Sequence, residues 1–71
     1  MRHFRDDAGK IWTVFEVQPT GRLDFLPEEY RGGWLSFAHP SENRRLAPLP
    51  SAWNACSDGE LAVLLAASVK A

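Results

Sequence analysis

Nine consecutive residues, Leu61 to Val69, carry no charge, and the Ser57-Asp58-Gly59-Glu60 string ahead of them reads as a helix start. Ser57 suits an N-cap with Glu60 at N3, a capping box, while Cys56 and Leu61 occupy the two positions of a hydrophobic staple. The pattern predicts a helix over 58–69. Leu61, Leu64 and Leu65 form its main stripe with Ser68 near the middle, whereas Val63 and Ala67 lie on the opposite side and Ala62, Ala66 and Val69 fill a flank. A helix without a charged face needs cover on more than one side. A chain of 71 residues is short of such cover, since a domain of this size buries only about 60% of its unfolded surface. The feature therefore points to a partner or to a second copy of the protein.

The remaining support for so small a core is limited by the residues present. One cysteine, Cys56, forms no internal disulfide, and His3, His39 and Cys56 are too few and too scattered for a zinc site. Oligomerisation is what remains. A hydrophobic fraction of 45% and a charged fraction of 24% place the chain among folding sequences rather than disordered ones, as a single domain over 1–71. Arg2-His3-Phe4-Arg5-Asp6-Asp7 after Met1 is no secretory leader, so a reducing cytoplasm is the expectation. The uncharged stretch is far below the roughly 18 residues that span a bilayer.

The sheet region is expected over 2–50. Asp6-Asp7-Ala8-Gly9 is a turn with Gly where positive φ is tolerated, joining His3-Phe4-Arg5 to Ile11–Val17 as a hairpin. Alternation in the second run puts Ile11, Phe15 and Val17 on one face and Trp12 and Val14 on the other, so both faces are apolar and the strand is central. Pro19 and Gly21 end it, and Arg22–Phe25 is a candidate return strand. Leu26 to Gly32 resembles one helical turn, with Pro27 at its start and acids in its first turn. Trp34–His39 alternates again, with Leu35 and Phe37 towards a core. A four-residue loop over Pro40–Asn43 would pair His39 with Arg44, Ala38 with Arg45, Phe37 with Leu46 and Ser36 with Ala47, leaving Arg45 beside Trp34 on the reverse face. Pro48-Leu49-Pro50 forbids further central pairing and Trp53 closes the connection. The architecture expected is α+β: a small antiparallel meander of four or five strands with one C-terminal helix packed on it. A curved, partly closed barrel of the SH3 type is the alternative.

Function is less legible. Trp12 and Trp34, read as pointing away from Phe15, Phe37 and Leu46, would make an aromatic platform edged by Arg45, suited to a peptide, a helix or stacked bases; the competing reading has one or two of the tryptophans covering the helix or the Pro48–Pro50 segment. Arg44 and Arg45 could meet phosphate, yet Glu28, Glu29 and Glu42 are equally available as neighbours. Residues 1–50 hold seven basic and seven acidic side chains, a balance that takes support from nucleic acid. A thiol nucleophile at Cys56 with His39 or His3 as base lacks an orienting group. No cofactor, metal or catalytic signature stands out, so the chain reads as non-enzymatic. The expectation is a protein–protein interaction module or accessory subunit, self-associating through the uncharged helix or the aromatic face, with Trp12, Trp34, Arg45, Val63 and Ala67 as candidate partner-binding residues. The alternative is a small nucleic-acid-binding or transcription-associated β-barrel using Trp34, Arg44 and Arg45.

Overall fold

In the computed structural model, which describes residues 1–71, the first turn forms as its residues demand. Gly9 takes φ 83°, while Asp6 Oδ1 accepts from the Ala8 and Lys10 amides at 2.9 and 2.8 Å. This closes a hairpin between β1 (Arg2–Arg5) and β2 (Ile11–Val17), in which Phe4 faces Trp12. β3 (Trp34–His39) and β4 (Glu42–Leu46) follow, and β5 (Val69–Lys70) completes a five-stranded antiparallel sheet in the order β1-β2-β3-β4-β5. The sheet is open: β1 and β5 are its two edges, so the meander is realised and the closed barrel is not. One helix, α1 (Asp58–Ala67), packs on one face, against β4 and β1.

The helix start follows the sequence closely. Ser57 Oγ accepts from the Glu60 amide at 3.1 Å and Glu60 Oε1 accepts from the Ser57 amide at 2.9 Å, so each side chain satisfies an amide the helix leaves unpaired. Leu61 is fully buried and Cys56, at the other staple position, packs against the same core. The helix end differs from the expected 58–69. It stops at Ala67, because Ser68 turns extended and is clasped by Arg44, whose Nε donates to Ser68 Oγ at 2.8 Å and whose Nη2 donates to Ser68 O at 2.6 Å. Val69 and Lys70 then pair with Arg45 and Arg44. No Gly or Pro marks this stop; the β4 edge supplies it by offering backbone partners.

The core comprises Phe4, Trp12, Val14, Leu35, Phe37, Trp53 and Leu61. Strand β2 therefore faces the other way from the expected arrangement: Trp12 and Val14 point inward, and Ile11, Phe15 and Val17 lie on the reverse face. Both faces of β2 are apolar, so its own alternation does not choose between them; Phe4 does, as the single apolar residue of β1, by pairing with Trp12. The second hairpin also differs. Its loop is Pro40-Ser41, giving His39↔Glu42, Ala38↔Asn43, Phe37↔Arg44, Ser36↔Arg45 and Leu35↔Leu46. This register is displaced by two residues from the one expected for a longer loop, and a shift of two keeps every side chain on its face.

Arg22–Phe25 is a turn and not a strand. Asp24 holds Arg22 through bonds of 2.8 and 3.3 Å, the Leu26 amide reaches Leu23 O, and β2 already has neighbours on both sides. The 3-10 turn Glu28–Tyr30 matches the expected single helical turn. After it, Gly33 is buried with φ 100°, and a Cβ there would sit 2.9 Å from Val17 O. Backbone cannot swing aside as a side-chain end can. Gly33→Ala is expected to cost more than about 1 kcal/mol, seen as a lower urea midpoint at unchanged slope.

Candidate functional site

The helix covers one face of the sheet and leaves the other without a second layer. On that uncovered face β2 places Ile11, Thr13, Phe15 and Val17, β3 places Trp34, Ser36 and Ala38, β4 places Asn43 and Arg45, and β5 places Val69. The paired positions Phe15, Ser36, Arg45 and Val69 run straight across four strands. Ile11 and Val69 are exposed, and Phe15, Val17 and Trp34 are half-buried.

One corner of this face is ordered by aromatic contacts. Tyr30, carried in by the 3-10 turn, meets Trp34 edge to face with ring centroids 5.4 Å apart. The Arg45 guanidinium lies 4.9 Å from the Tyr30 ring centre, a separation at which the ring quadrupole attracts a cation. Tyr30, Trp34 and Arg45 thus form a short stack of two rings and a guanidinium. Sequence reading found Trp34 and Arg45 on a common face; it missed Tyr30, whose signal was a turn ending four residues before Trp34.

The other candidates separate. Trp12, 2% exposed, belongs to the core and not to the aromatic face on which it was expected; its indole Nε1 donates to Asp6 Oδ2 at 2.9 Å and its ring packs against His39. Arg44 is on the helix side of the sheet, held by Ser68 and lying 3.7 Å from Glu42, so it does not share a surface with Trp34 and Arg45. Val63 and Ala67 are exposed on the outer side of α1. Cys56 Sγ has the Ala52 carbonyl as its hydrogen-bonding neighbour, and His39 Nδ1 is engaged by Ser41. No three His, Cys, Asp or Glu side chains are placed to hold a metal ion, and no helix is long and apolar enough to cross a membrane.

A cleft of about 360 Å³ opens between the first turn and α1, lined by Asp6, Lys10, Trp12, Glu42, Arg44 and Leu65 among others. Its charges are matched internally, with Lys10 Nζ 3.2 Å from Glu42 and Asp6 occupied by Trp12 and two amides. The two buried tryptophans share one device: Trp53 Nε1 donates to Glu16 Oε1 at 3.1 Å, as Trp12 does to Asp6. Each indole is the main reason its carboxyl is held below the usual carboxylate range. A carboxyl depressed in the folded state contributes stability that is present at neutral pH, above its unfolded value, and lost as pH falls through its folded value. As pH falls through these depressed values, tryptophan emission is expected to shift to the red as both indoles lose a charged acceptor. Asp6→Asn with Glu16→Gln should flatten that acid limb in a fluorescence titration; an unchanged limb would assign it to other carboxylates.

No family model, curated protein or solved structure matches this chain.

Proposed function

We propose that the protein is a small non-enzymatic interaction module that takes a protein partner, a second copy of itself included, on the uncovered face of its sheet. The observation that carries this reading is the stack of Tyr30, Trp34 and Arg45 set beside half-buried Phe15 and Val17 with no layer above them. Ordered aromatics with a neighbouring guanidinium are what protein interfaces enrich at their centres. Exposed Val63 and Ala67 add an apolar, uncharged helix surface, and the unpaired thiol of Cys56 suits a reducing compartment, the cytoplasm in this reading.

Sedimentation velocity from low to high micromolar concentration, combined with partner capture from the source cell, tests the proposal. The expected result is a concentration-dependent dimer or a stoichiometric partner, either one lost on Trp34→Ala while far-UV circular dichroism is unchanged. A monomer at every concentration that captures nothing would overturn it. Salt-sensitive binding of single-stranded DNA, abolished by Arg45→Ala, would replace it with the nucleic-acid reading.

A further inference from the structure

β1 is an edge strand whose outward backbone is free. Asp6 N donates to Lys10 O at 2.9 Å, which makes that pair a hydrogen-bonded one. Alternation along an antiparallel ladder then makes Phe4 with Trp12 and Arg2 with Val14 hydrogen-bonded pairs as well. The amides and carbonyls of His3 and Arg5 consequently point away from β2, and no turn amide or side chain meets them. A hollow of about 410 Å³ follows this edge, lined by His3, Arg5 and Ile11 from the uncovered face and by Phe4 and Asp58 from the helix side. Lining residues from both faces of one strand place the hollow on the strand's rim.

The one carboxylate lining this hollow, Asp58, is paired with Arg2 at 3.0 Å, which leaves Arg5 as the charge without a partner there. His3 and Arg5 lie two residues apart on the same face, and Arg5 enters no ion pair within the chain. A strand added at the rim would set its side chains directly opposite these two. Acidic residues at alternate positions complement them. A second copy of β1, Arg-His-Phe-Arg, would bring further arginines to this rim and no carboxylate to meet Arg5. We infer that the outer edge of β1 is a strand-addition site for an extended acidic segment of another protein, bound through the His3 and Arg5 backbone with carboxylates opposite their side chains.

The site lies apart from the Trp34 and Arg45 surface, so either reading can fail while the other stands. A capped synthetic peptide alternating Glu and Val, titrated into the full ¹⁵N-labelled chain, tests it against a peptide alternating Lys and Val. The expected result is amide shifts and slowed hydrogen exchange centred on His3 and Arg5 with the acidic peptide alone, weakened by salt. Arg5→Glu should weaken binding roughly fivefold, as an attractive exposed pair becomes a repulsive one, while the equal charge change Arg22→Glu leaves it intact. His3→Pro removes one outward amide at an edge position that tolerates proline, and should reduce binding without reversing any charge. Absence of binding, equal binding of the lysine peptide, shifts centred on Trp34 and Arg45, or edge protection that rises with protein concentration without peptide would each overturn the inference.

Discussion

Trp12→Ala is expected to unfold much of the protein at physiological temperature, whereas Trp34→Ala should leave the fold in place. Trp12 is 2% exposed and packs among Phe4, Val14 and Phe37, and truncating a buried Trp costs about 3 to 5 kcal/mol through lost transfer energy and the cavity left behind. A domain of 71 residues holds roughly 4 to 11 kcal/mol in total. The substitution thus removes a large share of the margin, and Tm should fall by about 15 °C or more. Trp34 is half-buried and its ring partner is Tyr30, a pair worth about 0.5 to 1.5 kcal/mol beyond its area. Thermal denaturation of the two variants separates a core tryptophan from a surface one. A Trp12→Ala protein as stable as the wild type would overturn this account of the core.

The second large effect is on the helix, where two positions two residues apart should respond oppositely. Leu61 is fully buried, and Val63 is 69% exposed. Leu61→Ala is expected to cost about 2 to 5 kcal/mol. Val63→Ala should stay within about 0.5 kcal/mol, because the loss of exposed apolar surface is small and alanine is the better helix former. Urea unfolding of the isolated chain measures both. If Val63→Ala also destabilises, and does so more at higher protein concentration, the outer helix surface is itself an interface.

The contrast between helix and sheet explains what sequence reading reached. The start of α1 was legible because capping is local: Ser57 and Glu60 are three residues apart and satisfy each other's amides whatever the rest of the chain does. The end was not, because it depends on Arg44, 24 residues away from Ser68 along the chain. In the sheet, Leu35 and Phe37 were readable as core from alternation with Ser36. β2 was not, since Trp12 and Phe15 are equally apolar and only a partner strand can decide between them. The deciding information was present in Phe4, which the Asp6–Gly9 turn sets opposite Trp12. The surface stack was half-visible for a similar reason: Trp34 and Arg45 share a hairpin, while Tyr30 joins them through a turn outside it.

The helix is tied down at both ends by arginines from opposite sides of the sheet. Arg2 of β1 donates to the Cys56 carbonyl and pairs with Asp58 at 3.0 Å at its start, and Arg44 of β4 holds Ser68 at its finish. An ordinary helix frays progressively from its termini, so its outer turns open far more often than its middle. With both termini anchored to strands that are not neighbours, and Leu61 packed in the core, the termini gain little freedom unless the sheet gives way as well. The ten residues of α1 and the strands that hold them then behave as one cooperative unit, opening together rather than turn by turn from the helix ends.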